Sequence, residues 1–220
     1  MSVANCRRLA CGYLGHEQRV RTTKWPNPGS RRTNQAFHFR PSRRLCIVLK
    51  LGAVSFGEFD AAENKELPSG MEPRQEYEVM PGDVLISRAN VVRYVGACVY
   101  VPSTPPKLML CDKIFRVRFF KDSRLLPRFL AEAMKLGCVR EHIESRLTGT
   151  SPTMKNISKP ALLDTCFPVP DAGMQLRVVD AIDEARTTAA SKRAEATALR
   201  QSAWSTFESS LFTASTGMVA

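Results

Sequence analysis

Pro81-Gly82-Asp83-Val84-Leu85-Ile86-Ser87 sets a turn signal directly before an apolar run too short for a helix. Proline and glycine supply the backbone dihedrals of a turn, and Asp83 is placed to close it by bonding its own backbone. A short apolar run bounded by such residues reads as a strand. Upstream, Cys46-Ile47-Val48-Leu49-Lys50-Leu51 begins another strand, and Gly52 to Gly57 continues it before the polar stretch from Asp60 to Arg74. Glu76-Tyr77-Glu78-Val79 then alternates. Downstream, Val92 to Val101 and Leu108 to Leu110 have the same texture, and Lys113 to Phe119 alternates between polar and apolar residues apart from the adjacent Ile114 and Phe115. Period-two patterning in short pieces separated by turns predicts a mainly antiparallel sheet.

Leu126 to Leu147 changes period. Phe129, Ala133, Leu136, Val139, Ile143 and Leu147 recur at helical spacing, with Pro127 acceptable in a first turn. Strands followed by packed helices define an α+β class. A second helical stretch spans residues 171–212, with Asp171 as its N-cap. In heptad register its seam runs through Val178, Ile182, Ala185, Ala189, Lys192, Ala196, Leu199, Ala203, Thr206 and Ser210. An alanine-rich seam interrupted by lysine buries little area per residue, so this coiled-coil-type helix needs a partner with larger side chains or the help of Trp204, Phe207 and Leu211. The expected organisation is a basic disordered segment over 1–45, an α+β domain over 46–170, a long dimerisation helix over 171–212, and a disordered tail over 213–220.

The chain of 220 residues is long enough for a core without staples and has no apolar run near the ~20 residues that span a bilayer. The apolar stretch Leu9 to Leu14 is too short for a secretory signal, which places the protein in the cytoplasm. Seven cysteines without a C-x-x-C pair predict reduced thiols rather than a disulfide framework or a zinc ribbon. Cys6, Cys11 and His16 have no fourth ligand, so no metal is expected, and Cys98, Cys111 and Cys166 read as small buried hydrophobes.

The net charge of +11 is unevenly distributed. Residues 1–45 hold ten Lys and Arg against one acidic residue, residues 46–170 hold seventeen against fourteen, and residues 171–220 hold five against six. The basic excess therefore belongs to the N-terminal segment, either an arm touching phosphates without sequence choice or a dispensable start. Net charge by itself does not make the domain a DNA reader.

Two loops carry the side chains that would. Ser87, Arg88, Asn90 and Arg93 follow the Gly82-Asp83 turn, and arginine and asparagine pair bidentately with guanine and adenine edges. The alternative for Arg88 is an ion pair inside the domain. Thr148, Thr150, Ser151, Lys155 and Asn156 lie in a stretch of small hydroxyl residues that permits close approach to a phosphodiester backbone; taken alone it reads as an ordinary polar loop. Lys113, Arg116 and Arg118 share a strand, at least one facing solvent.

Taken in order, Gly82 to Asn90, Val95-Gly96-Ala97, Asp112 to Arg116, Gly149-Thr150-Ser151 and Phe167 to Gln175, followed by a long helix, resemble the specificity subunits of type I restriction-modification enzymes. The resemblance covers about residues 47–212 and departs from the family at Asp171-Ala-Gly-Met-Gln175, where a glutamate or similar polar turn usually follows the proline pair. It implies a target-recognition domain that reads half of a split site in double-stranded DNA, and a helix that spaces it from a second such domain. Full-length members hold two recognition domains, so the chain looks like half of one. The implied partners are methyltransferase subunits, through them the restriction and translocase subunit, and either a second copy or another recognition half.

Enzyme signatures are missing. There is no glycine-rich cofactor loop with an amino-methyltransferase motif and no Walker loop. Asp60, Glu63 and Lys65 are too close in sequence for a nuclease site drawn from separate strands, and His16, His38 and His142 do not cluster with a nucleophile. The expectation is a non-catalytic DNA-recognition subunit without cofactors. A decayed or regulatory remnant that folds and self-associates without reading a site is the alternative.

Overall fold

The computed structural model describes residues 11–13, 20–23, 46–68, 71–151 and 153–216, with side chains described in 46–68, 71–151 and 153–212. In chain order the elements are β1 (Cys11–Tyr13), β2 (Val20–Thr23), β3 (Ile47–Leu49), β4 (Asn64–Glu66), β5 (Val84–Ser87), β6 (Ala89–Asn90), β7 (Cys98–Tyr100), β8 (Leu108–Met109) and β9 (Ile114–Phe119). There follow α1 (Pro127–Ala133), α2 (Gly137–Glu144), β10 (Lys155–Asn156), α3 (Lys159–Leu163), β11 (Cys166–Pro168) and α4 (Ala172–Thr216). The chain divides into two units, Met1–Gln175 and Leu176–Ala220.

The first unit is α+β, as its patterning predicts. A four-stranded antiparallel sheet runs β2-β9-β5-β7, and a three-stranded one runs β4-β3-β8 with β3 and β8 parallel. All four residues of β5 are buried, which explains the apolar run Val84-Leu85-Ile86: a strand paired on both edges and covered on both faces has no solvent side to alternate with. One face of that strand contributes Leu85 to a core with Leu49, Val54, Val79, Val99, Leu108, Leu110 and Ile114. Arg116 in β9 is a buried charged residue, only 2% exposed. Its Nη2 donates to the Glu78 carbonyl at 2.7 Å, and its Nε lies 3.4 Å from Asp83 Oδ2 without hydrogen-bond alignment. Asp83 also closes its own turn, accepting from Met80 N at 2.9 Å. Burial pulls the Arg116 pKa below its ordinary value, and Asp83 opposes that shift. Arg118, two residues on, faces solvent.

Several sequence expectations are corrected. Gly52 to Gly57 does not continue a strand: Leu51–Ala53 forms a 3-10 turn, with Val54 N donating to Leu51 O. Val92 to Val101 is likewise interrupted, because Val92–Tyr94 is a 3-10 turn and Gly96 sits at φ +78°, leaving only β7 extended. The helical stretch 126–147 is two helices, since Leu136 adopts an extended backbone (ψ 140°) immediately before Gly137, a poor helix former that starts α2. Residues 1–45 are not wholly without structure. The backbone of Cys11–Tyr13 pairs with β11 and that of Val20–Thr23 pairs with β9, because the edge of β9 opposite β5 offers unpaired N–H and C=O groups that a short segment with β-branched residues satisfies. The rest of that segment lies outside the described residues. Cys166 is disulfide-bonded, which corrects the expectation of reduced thiols throughout, and its partner is outside the described side chains.

Gln175 ends the first unit as a clamp. It is fully buried, its Oε1 accepts from Leu126 N at 2.9 Å, and its Nε2 donates to Arg124 O at 3.0 Å and Pro170 O at 2.8 Å. With both amide protons and the amide oxygen bonded, its burial is tolerable. Asp171 caps the helix, accepting from Met174 N at 2.9 Å.

The second unit is the remainder of α4, a helix of 45 residues that reaches Thr216 rather than stopping at 212. Hydroxyls of Thr187, Thr197, Thr206, Ser209 and Ser210 bond back to carbonyls one turn earlier, so polar residues do not interrupt it. Of the expected seam, Val178, Ile182 and Ala189 are half-buried, whereas Ala185, Leu199 and Ala203 are exposed. Trp204 is 62% exposed and its ring lies 5.6 Å from that of Phe207. No helix among the described residues is long and apolar enough to cross a membrane.

Candidate nucleic-acid interface

The two loops singled out in the sequence meet. β6 pairs antiparallel with β10, Asn90 opposite Lys155 and Ala89 opposite Asn156, while Ile157 N donates to Arg88 O at 3.0 Å. On its other edge β10 meets Thr148: Thr148 N donates to Asn156 O at 2.8 Å and Asn156 N to Thr148 O at 2.9 Å. Residues directly opposite share a face of a sheet. Ala89 is buried, so the Ala89 side of this ribbon looks inward, and Asn90 and Lys155 lie on the outward side, with Arg88 joining them by strand alternation.

Ser87 leaves the candidate set. It is 0% exposed in the middle of the sheet, its N donating to Ala97 O and its carbonyl accepting from Gly96 N, and its hydroxyl has no partner. The side chain points to the covered side of a central strand and reaches no ligand outside. Arg88 and Asn90 remain, both half-buried; Asn90 Oδ1 accepts from Val91 N at 2.8 Å, which fixes the amide. Among the described residues no carboxylate pairs with Arg88. Arg93 is exposed and lies over the Tyr94 ring at 5.5 Å.

In the second loop Thr148, Thr150 and Ser151 are exposed. Lys155 Nζ donates to Gly149 O at 2.7 Å, closing the loop, and Ser151 Oγ lies 3.0 Å from Thr153 Oγ1. Gly149 holds φ +108° with its Cβ position 3.1 Å from Met154 O, so a side chain there is doubly disfavoured.

Arg140 is the residue that sequence reading missed. From α2 its Nη1 donates to Val95 O at 2.7 Å, and its Nη2 to Arg93 O at 3.2 Å, to Val92 O at 3.5 Å and to Glu144 Oε1 at 3.2 Å. The guanidinium also stacks over Phe56 at 4.9 Å. Burial lowers its pKa, with Glu144 opposing, and its charge is held among the carbonyl oxygens of Val92, Arg93 and Val95. The carbonyls of the 3-10 turn after Asn90 are thereby tied to a residue 45 to 47 positions on in the chain, a link no local pattern announces. The result is a rigid rim of Arg88, Asn90 and Arg93 beside a hydroxyl-rich loop that carries Lys155, with two of these three cations offering guanidinium forks.

No family model matches the chain. It is 32% identical over 144 residues to the type I restriction enzyme EcoEI specificity subunit of Escherichia coli, a match that takes in 66% of this chain and 24% of that protein. The chain is a homologue of type I restriction specificity subunits and has their fold. An HsdS subunit from Thermoanaerobacter tengcongensis superposes with a TM-score of 0.50 at 17% identity, covering 67% of this chain and 37% of that one. A solved chain described in connection with complex assembly and conformational transition of the type I R-M system gives 0.50 at 18% identity, covering 84% and 40%. The chain thus spans less than half the length of each of these relatives.

Proposed function

We propose that the chain reads DNA sequence as the specificity component, or half of it, of a type I restriction-modification complex. The observation that supports this most is the pairing of β6 with β10, which gathers Arg88, Asn90 and Lys155 on one outward surface next to Arg93, Thr148, Thr150 and Ser151. In this reading Arg88 and Asn90 read base edges, since a guanidinium fork matches guanine O6 and N7 and an amide matches adenine N6 and N7. Lys155 and the hydroxyl loop hold phosphates and set the register. Asn156 faces the Ala89 side of the ribbon, so it orients the loop more than it touches a base.

In this role the chain performs no catalysis. Methyltransferase subunits dock on α4 and bring the restriction and translocase subunit with them, in the cytoplasm, and the recognition component itself needs no cofactor. A helix of 45 residues is roughly 68 Å long at 1.5 Å per residue, a suitable ruler between two readers. Two copies pairing through Val178, Ile182, Ala185, Ala189, Leu199 and Ala203, or one copy pairing with another recognition half, supply the second reader.

Methylome sequencing tests this. Deleting the gene is expected to abolish methylation at one split motif in the source cell and to leave other modified motifs untouched. An unchanged methylome would overturn the proposal and leave the remnant reading in its place.

A further inference from the structure

The rim carries an apolar feature that hydrogen bonding to bases does not use. Val91 and Val92 are adjacent, each 39% exposed, and form the tip of the turn between Asn90 and Arg93. Elsewhere on that rim the outward groups are polar or cationic, so water is in contact with two branched hydrocarbon side chains where a serine or asparagine would be better solvated. Their position is tightly set. Asn90 Oδ1 holds Val91 N, Arg140 holds the carbonyls of Val92, Arg93 and Val95, and Tyr94 N and Val95 N both donate to Val91 O, at 2.9 and 3.2 Å. Valine has one stiff side-chain torsion, so little freedom is lost when such a tip is covered.

We infer that Val91 and Val92 are specificity-determining residues that pack against thymine 5-methyl groups in the major groove. This rests on the DNA-reading function proposed above. The thymine methyl is the apolar group that a base pair presents on its major-groove edge, and apolar side chains pair with it as donors and acceptors pair with the other edges. The flanking Asn90 and Arg93 are the residue types that read adenine and guanine, so the tip and its neighbours together address A·T and G·C pairs from one turn. Wedge insertion between bases fits less well. Wedging side chains extend far from the backbone, as phenylalanine, leucine and methionine do, and valine ends one carbon beyond Cβ.

The test uses the full chain and a randomised duplex pool prepared once with thymine and once with deoxyuridine, which differs only by the methyl group. Wild-type protein is expected to enrich a sequence from the thymine pool and to bind the deoxyuridine form of that sequence more weakly, about fourfold for each methyl covered. The paired substitutions Val91→Ser and Val92→Ser remove the branch methyls, and thermal melting checks that the fold is retained. They are expected to bring the thymine-to-deoxyuridine ratio close to one. Enrichment with equal affinity for both forms would overturn the methyl contact while leaving DNA reading intact. A ratio unchanged in the serine variants would also overturn it, and no enrichment from either pool would overturn the DNA-reading proposal and this inference with it.

Discussion

Asn90 stands directly opposite Lys155 in antiparallel register, which joins a turn after β5 to a loop after α2 through backbone bonds. The consequence is mechanical. Neither loop is held by its own residues alone: Ile157 N donates to Arg88 O on one edge of β10, Asn156 and Thr148 exchange backbone bonds on the other, and side chains from both loops are kept in a fixed relation. A site with such support presents its donors already ordered, so less conformational entropy is lost on binding.

Gly96→Ala is expected to destabilise the domain by about 2–4 kcal/mol. The position holds φ +78°, and a Cβ there would lie 2.7 Å from Ile143 Cδ1 and 3.2 Å from Arg140 Nη1. Displacing Arg140 also releases the carbonyls of the recognition turn. Chemical denaturation of the variant gives the free energy; a loss under about 0.5 kcal/mol, the ordinary scale for a surface change, would show that the turn is not fixed in this way.

His142 gives the domain a pH dependence. Burial of the imidazole lowers its pKa from the usual 6.5, Arg146 adds to the effect, and the Ala161 backbone and Asp164 oppose it. Its Nε2 is buried without a hydrogen-bond partner. With the folded-state pKa below the unfolded one, the unfolded chain binds the proton first as pH falls. The stability from a neutral His142 is therefore present above about 6.5 and lost as pH drops from there toward the depressed folded value. Melting temperatures measured between about pH 7.5 and 5.5 are expected to fall less steeply for His142→Gln than for wild type; identical slopes would refute the assignment.

The sequence shows the class of the fold because β5 and β9 announce themselves, one by the apolar run Val84-Leu85-Ile86 and the other by alternation from Phe115 to Phe119. It shows less at breaks. Leu136 carries the helical period across a real interruption, since its apolar side chain suits a core wherever the backbone turns. Ser87 reads as part of a polar loop because a hydroxyl carries no sign of which side of the strand it occupies. Arg140 cannot be paired with the carbonyls of Val92 to Val95 from spacing, as that contact is created by tertiary packing of α2. The edge strand Val20–Thr23 is hidden by an arginine-rich context whose charge points to disorder.

That strand changes how the N-terminal charge is tested. Deleting residues 1–45 would remove a neighbour of β9 together with nine net positive charges, mixing folding with binding. Substituting Arg31, Arg32, Arg43 and Arg44 with Gln leaves β1 and β2 in place. If the segment touches phosphates, the slope of log affinity against log salt is expected to flatten by about 0.9 for each phosphate no longer neutralised. An unchanged slope would show that these arginines touch none.

Pairing of α4 predicts a self-associating chain. Ile182→Glu with Leu199→Glu places charges on the proposed seam, where Leu199 is 65% exposed. Burying them against a partner helix is unfavourable, so the double variant is expected to sediment as a monomer while its first unit stays folded. Sedimentation velocity with and without methyltransferase subunits decides this; a wild-type monomer in both cases, or a normally dimerising variant, would refute the seam.

The central claim, that the turn after β5 reads bases, is tested most directly by a fluorescence titration of Arg88→Ala/Asn90→Ala at fixed salt on the cognate duplex and on a scrambled duplex. Arg88 and Asn90 share the outward face with Lys155, and Arg88 has no competing ion pair among the described residues. Each base contact is worth about 1–3 kcal/mol, so the double variant is expected to lose about 2 to 5 kcal/mol on the cognate duplex and much less on the scrambled one. Equal losses on the two duplexes would contradict base readout by this turn.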